Sequence, residues 1–174
     1  MTCIEVSMIR ILCVCRGNLC RSPMAAAALR SALTVEGVEA EVDTAGAAAW
    51  HIGDPAEPLA LAVAADRGYD LSPHRARRLI EADFHSFDLI LALDTSNLTA
   101  VLRRRPEGAP ARIARFHPER AIDDPFYGDR KAFEEAMDLI EQAAIWQARR
   151  LASLPTDGAP WLTPAAAADR VIAV

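Results

Sequence analysis

The stretch VCRGNLCRSP, residues 14–23, constrains this chain more than any other. Before it runs Met8-Ile9-Arg10-Ile11-Leu12-Cys13-Val14, apolar at all but one position. Such a run reads as a central parallel strand covered on both faces. After it comes an alanine-rich segment opened by Ser22-Pro23, which predicts a helix with Ser22 as N-cap and Pro23 at its first position, running to about Ala32. A loop that turns from a buried strand into a helix N-terminus aims several backbone N–H groups inward, and the helix dipole adds partial positive charge. Gly17 permits close backbone approach or a positive φ. Asn18 belongs to the few other residue types that tolerate the left-handed region. Arg21 has a planar fork that can hold two oxygens of one anion. The segment therefore reads as an anion cradle. Cys15 stands at its floor in surroundings that favour the thiolate, whereas Cys13 lies inside the apolar run and reads as core.

The rest of the chain extends the same architecture. Residues 39–43 suit a short strand, followed by the small-residue turn Thr44-Ala45-Gly46. A helix is expected from Pro58 to Arg67, stopped by Gly68. Asp88–Leu93 reads as another buried strand, and Asp94-Thr95-Ser96 supplies caps for a helix through Leu102. Residues 111–116 suit a fourth strand. From Arg130 to about Leu151, Phe133, Met137, Ile140, Ala144 and Leu151 recur at roughly helical spacing. Strands alternating with helices predict an α/β fold: a single domain with a four-stranded parallel sheet, helices on both faces, and a phosphate-binding loop between the first strand and the first helix. Sites in such sheets lie beyond the carboxyl ends of the strands, where the loop, Asp94 and the segment after residue 116 should meet. The domain is expected over residues 8–152, with a 1–7 extension (Met8 is a candidate start) and a Pro/Ala-rich tail over 153–174.

Bulk properties narrow the function. A net charge of −5 offers no general attraction to nucleic acid or an anionic membrane. No apolar run approaches the ~20 residues of a membrane span, and the N-terminus lacks the pattern of a cleaved signal, so a cytoplasmic protein is expected. All four cysteines fall within the first twenty residues, which argues against a disulfide framework. Their spacing lacks a C-x2-C pair or a nearby histidine, so neither a metal nor another cofactor is expected. The basic run Arg103-Arg104-Arg105 reads as a solvated helix end, and His51, His85 and His117 as ordinary loop residues.

Val14–Pro23 resembles the low-molecular-weight protein tyrosine phosphatase signature, V-C-x-G-N-x-C-R-S-P, and further similarities follow in order. Thr44-Ala45-Gly46 resembles that family's S-A-G turn, and Trp50-His51-Ile52-Gly53 its aromatic-bearing loop. His74–Arg77 resembles H-x-A-R, Asp94–Asn97 resembles D-x-S-N, and Asp124-Pro125-Phe126-Tyr127-Gly128 resembles D-P-Y-Y-G. The resemblance implies hydrolysis of phosphotyrosine in proteins, and of small aryl phosphates, through a phosphocysteine. Cys15 would be the nucleophile. Arg21 and the loop residues Arg16, Gly17, Asn18, Leu19, Cys20 and Ser22 would hold the phosphate, with Ser22 also reaching the Cys15 sulfur. Asp124 would be the general acid and then the base, since the motif puts the acid directly before proline; Asp123 competes only by adjacency. Trp50, Phe126 and Tyr127 would grip the ring, while His74, pairing with Asn18, and Asp94 would support the loop. Cys20 would give reversible oxidation with Cys15. Partners would be tyrosine-phosphorylated proteins. Phe126 replaces the first tyrosine of D-P-Y-Y-G, and Thr44 the serine of S-A-G.

Three rivals share parts of this reading. Thioredoxin-coupled arsenate reductase needs relay cysteines far downstream, and none follows Cys20. A protein-arginine phosphatase carries threonine where this chain has Leu19. A non-catalytic phosphate-reading module would lack the nucleophile or the acid.

Overall fold

Side-chain alternation along the first strand builds the two halves of the core. In the computed structural model, which describes residues 8–154, β1 (Ile9–Cys15) lies inside a four-stranded sheet. It pairs in parallel with β2 (Ala40–Gly46) on one side and with β3 (Leu89–Ala92) on the other, and β4 (Arg112–Arg115) completes the order β2-β1-β3-β4. Ile9, Ile11, Cys13 and Cys15 point to one face, under α1 (Arg21–Val35), α2 (Pro58–Asp66) and α5 (Arg130–Ala152). Leu12 and Val14 point to the other. There Phe84, in α3 (Asp83–Ser86), Phe87 and Val101, in α4 (Thr95–Arg104), cover them. Helices on both faces explain why the first strand reads as a continuous apolar run. Cys13 is fully buried and burial pushes its thiol up to about 12, in keeping with a packing role.

The helix starts show which polar residues do local work. Asp94 caps α4 by accepting from the Asn97 amide at 2.6 Å, and Asp129 caps α5 by accepting from Ala132 at 3.1 Å. Glu57 caps α2 through the amides of Leu59 and Ala60. The first helix departs from expectation. It begins at Arg21 with Cys20 in the cap position and no side-chain cap. Ser22 is therefore inside the helix and not its N-cap, because its hydroxyl is engaged with the preceding loop. Pro23 stands third, still within the first turn, where a missing N–H removes no helical bond.

Two further differences bear on the site. Thr44-Ala45-Gly46 is not a turn: it continues β2, in register with Cys13, Val14 and Cys15. A Cβ on Gly46 would lie 3.1 Å from the Arg16 carbonyl oxygen and 3.0 Å from that of Ala48, so only glycine lets the strand pass this close to the loop. Arg104 is not simply solvated: it donates to the Ala47 carbonyl and ties the end of α4 to the chain leaving β2. The short α3 carries too few residues for helical periodicity to reveal it. The expectations for residues 1–7 and for the tail beyond 154 lie outside the described residues. Among the described residues no helix is long and apolar enough to cross a membrane.

On α5, Phe133, Met137, Ile140, Ala144 and Leu151 are all buried, with Ala136, Ala143 and Ala148 between them. These small residues let α5 lie close against Met24, Ala28 and Leu29 of α1. Phe133 is fully buried in this interface. Phe133→Ala should lower unfolding free energy by about 3–5 kcal/mol. In urea titration the midpoint should fall with little change in slope.

Candidate active site

The carboxyl ends of the strands meet in a cavity of about 200 Å³. It is lined by Cys15, Arg16, Gly17, Leu19, Cys20 and Arg21 below, and by Trp50, His51, Asp124, Phe126 and Tyr127 around its walls and mouth. The loop of residues 16–20 gives it a floor. Neighbouring segments secure that loop mainly through its carbonyls. Cys15 and Arg16 accept from the amides of Ala47 and Ala48, Leu19 accepts from Glu57, and Asn18 accepts from His74 Nε2 at 2.6 Å. Among the described residues, no acceptor takes the amides of residues 16–21. With its carbonyls engaged elsewhere, the loop has a surplus of donors, the condition for binding an anion.

Asn18 is the residue that adopts the left-handed conformation, with φ of 60°. It is fully buried, and its side chain works in both directions. Oδ1 accepts from the Arg77 amide at 2.8 Å, and Nδ2 donates to Ser22 Oγ at 2.8 Å. Ser22 Oγ in turn lies 3.0 Å from Cys15 Sγ. Because Ser22 accepts from Asn18, its own hydrogen is available to the sulfur. Gly17 does not take a positive φ; it provides clearance, since a Cβ there would stand 3.2 Å from His51 Cδ2. Asn18 and Ser22, expected among the phosphate contacts, do not line the cavity; their side chains hold the loop from behind. Arg77 fixes this backing by pairing with Asp43 and Asp83, each at 3.0 Å.

Arg21 is 2% exposed, and two loops from elsewhere in the chain converge on it. Nη1 donates to Asp94 at 2.6 Å and to the Ile122 carbonyl at 2.9 Å, while Nη2 donates to Asp124 at 2.7 Å. Burial opposes the charge on Arg21, but Cys15, Asp124 and Asp94 outweigh it and hold the guanidinium above its ordinary value. A guanidinium has five N–H donors. Three are used here, and the buried Nε–H has no partner among the described residues. Nε–H and the second Nη2 hydrogen thus remain as a donor pair. Asp123 makes no such contact, and Asp124 alone of the two lines the cavity.

The walls are aromatic. Phe126 and Tyr127 meet edge to face at 4.9 Å, and Phe126 lies 6.3 Å from the His51 ring. Trp50 is two-thirds exposed at the mouth, with the Arg16 guanidinium 4.8 Å from its ring centroid. His51, expected from the sequence as an ordinary loop residue, lines the cavity, and the signal for it is its place beside Trp50 in the aromatic-bearing loop. Cys20 is buried at the cavity edge. Burial, with Cys15 and Asp124 nearby, holds its thiol well above the ordinary range.

Residues 10–154 match the family described as low molecular weight phosphotyrosine protein phosphatase. A Streptomyces coelicolor protein named low molecular weight protein-tyrosine-phosphatase is 40% identical over 146 residues, covering 78% of this chain and 88% of its own length. A crystal structure of an Entamoeba histolytica protein tyrosine phosphatase, with Hepes in its active site, is similar with a TM-score of 0.78. It is 30% identical and covers 82% of this chain and 96% of that one. Vibrio vulnificus Wzb in complex with benzylphosphonate has a TM-score of 0.74 and 31% identity, covering 83% and 99% of the respective chains.

His74 supplies a pH test of the loop's backing. Burial holds its imidazole below the ordinary value of 6.5, although the bond to Asn18 favours the charged form. A depressed histidine takes up its proton later in the folded than in the unfolded state, so stability falls as pH drops below about 6.5. The stability advantage of the parent over His74→Gln should therefore be larger at pH 7.5 than at pH 5.5, measured by urea unfolding. An equal advantage at both would assign the pH dependence elsewhere.

Proposed function

The chain belongs to the low molecular weight phosphotyrosine protein phosphatase family and is a protein-tyrosine phosphatase; from that premise we propose that it works through a phosphocysteine, with Cys15 as nucleophile, Arg21 as phosphate clamp and Asp124 as general acid and base. One observation carries the reading: a thiol, a charged guanidinium with two uncommitted donors and a carboxylate line one aromatic-walled cavity. The family acts on phosphoproteins, so proteins bearing phosphotyrosine are the proposed substrates. Residues 8–152 are the proposed catalytic domain.

Each step assigns work to a group already in place. The phosphate's equatorial oxygens take the loop amides and the Nε–Nη2 edge of Arg21. Cys15 Sγ attacks phosphorus in line with the leaving oxygen, the P–S bond forms, and the P–O bond breaks. Asp124 gives its proton to the departing phenolate. Asp124 then removes a proton from water, the water oxygen attacks phosphorus, and the sulfur leaves with its charge eased by the Ser22 hydroxyl. Phosphoryl transfer depends mainly on positioning and charge stabilisation, which the cradle supplies. Trp50, Phe126 and Tyr127 grip the ring; benzylphosphonate, the compound in complex with the similar Vibrio vulnificus Wzb, also joins an aromatic ring to a phosphorus group.

Cys15→Ser should abolish turnover while retaining phosphate binding. Asp124→Asn should lower kcat for phenyl phosphate by roughly 10²–10⁴-fold, with a smaller loss for phenols that depart without a proton. The same pattern in Asp123→Asn, with Asp124→Asn unaffected, would move the acid by one residue.

Cys20 is proposed to protect the nucleophile. Peroxide oxidises the Cys15 thiolate to a sulfenic acid, and the Cys20 sulfur then displaces the hydroxyl as water to close a disulfide. The raised Cys20 thiol makes Cys15 the first target. Dithiothreitol should restore peroxide-treated parent enzyme, while Cys20→Ser should be inactivated beyond recovery. Full recovery of that variant would reduce Cys20 to packing.

A further inference from the structure

The cavity mouth carries an imbalance of charge. Its lining includes three groups of formal charge: Arg16, Arg21 and Asp124. Arg21 and Asp124 pair with each other at 2.7 Å, so neither is free to meet a distant part of a substrate. His51, beside them, hydrogen-bonds Asp54 at 3.2 Å. Arg16 is exposed and has no carboxylate partner among the described residues. Its guanidinium lies over the Trp50 ring, 4.8 Å from the centroid. Stacking of this kind orients an arginine without consuming its hydrogen-bond donors.

The backbone beneath Arg16 is equally fixed, since its carbonyl accepts from the Ala48 amide at 2.8 Å. The side chain therefore projects from a tied point on the cradle onto a wall of the pocket. A tyrosine ring seated between that wall and Phe126 would carry its neighbouring peptide residues past this guanidinium. The whole chain has a net charge of −5, so its overall field does not attract acidic peptides. Any attraction at the mouth has to be local, and Arg16 is placed to provide it.

We propose that Arg16 is a specificity-determining residue: its side chain, stacked on Trp50, selects phosphotyrosine sites that have an aspartate or glutamate within two residues. The proposal rests on the phosphotyrosine reading above and assigns that same site a class of peptide. It gives the Arg16 side chain a role separate from the loop amide of the same residue. Attraction between an exposed guanidinium and one carboxylate is modest and screened by salt.

The test compares kcat/KM for synthetic phosphotyrosine peptides that differ only in carrying glutamate, glutamine or lysine beside the phosphotyrosine. The parent enzyme should prefer the glutamate peptide over the glutamine peptide by about two- to fivefold at low ionic strength, the range open to an exposed ion pair. The preference should shrink towards unity in ~0.5 M sodium chloride. Arg16→Gln should bring the ratio to about one at low salt, Arg16→Lys should retain part of it, and Arg16→Glu should favour the lysine peptide. If Arg16 served only to steady Trp50, the Gln and Lys variants would slow all three peptides alike and leave the ratio unchanged, which overturns the proposal. Equal rates for the glutamate and glutamine peptides in the parent at low salt overturn it too, with the phosphatase reading intact. No hydrolysis of any of the three overturns both.

Discussion

Everything at the catalytic edge of this fold depends on one buried guanidinium. Arg21 opens α1, yet its side chain lies almost wholly out of water. An uncompensated charge there would cost on the order of several kcal/mol. Compensation comes from Asp94 at the start of α4 and from Ile122 and Asp124 in the segment after β4. Three connections far apart in sequence are thereby drawn to one point. The sheet alone would bring its strand ends to the same side; Arg21 sets where the loops stop.

A second layer keeps the cradle open for the first. Asn18 adopts a backbone conformation that most residues resist, and the cost is offset by hydrogen bonds on each of its polar sides. His74, Arg77 and Ser22 do not meet the cavity, yet they fix the residues that do. The chemistry is thus divided between groups that face the ligand and groups that hold the loop's carbonyls away from it. The amides are then left facing the cavity without competition.

Much of this was legible before any coordinates. The unbroken apolar run in β1 announced a strand covered on both faces, and Asp94 before Thr95-Ser96 announced a helix start. The cradle could be read because strand end, glycine, asparagine, arginine and helix lie in one continuous stretch. Features set by tertiary contact were not legible. Ser22-Pro23 has the local chemistry of a cap, but the hydroxyl is claimed by Asn18 and Cys15, and the helix starts earlier. Thr44-Ala45-Gly46 has the composition of a turn, but its small side chains serve to fit beneath the loop as strand. His51 gained its place at the cavity only when the aromatic loop folded over Gly17.

Asp94 has two oxygens and two employers. Oδ1 takes the Asn97 amide and starts α4, while Oδ2 takes Arg21. No other side chain can serve both with the same reach. Asparagine would keep a cap oxygen and surrender the ion pair; glutamate would keep the charge and overshoot the amide. The position of the clamp is consequently tied to whether a helix on the opposite face of the sheet is wound. Any loosening of α4 would reach the anion site through this one carboxylate.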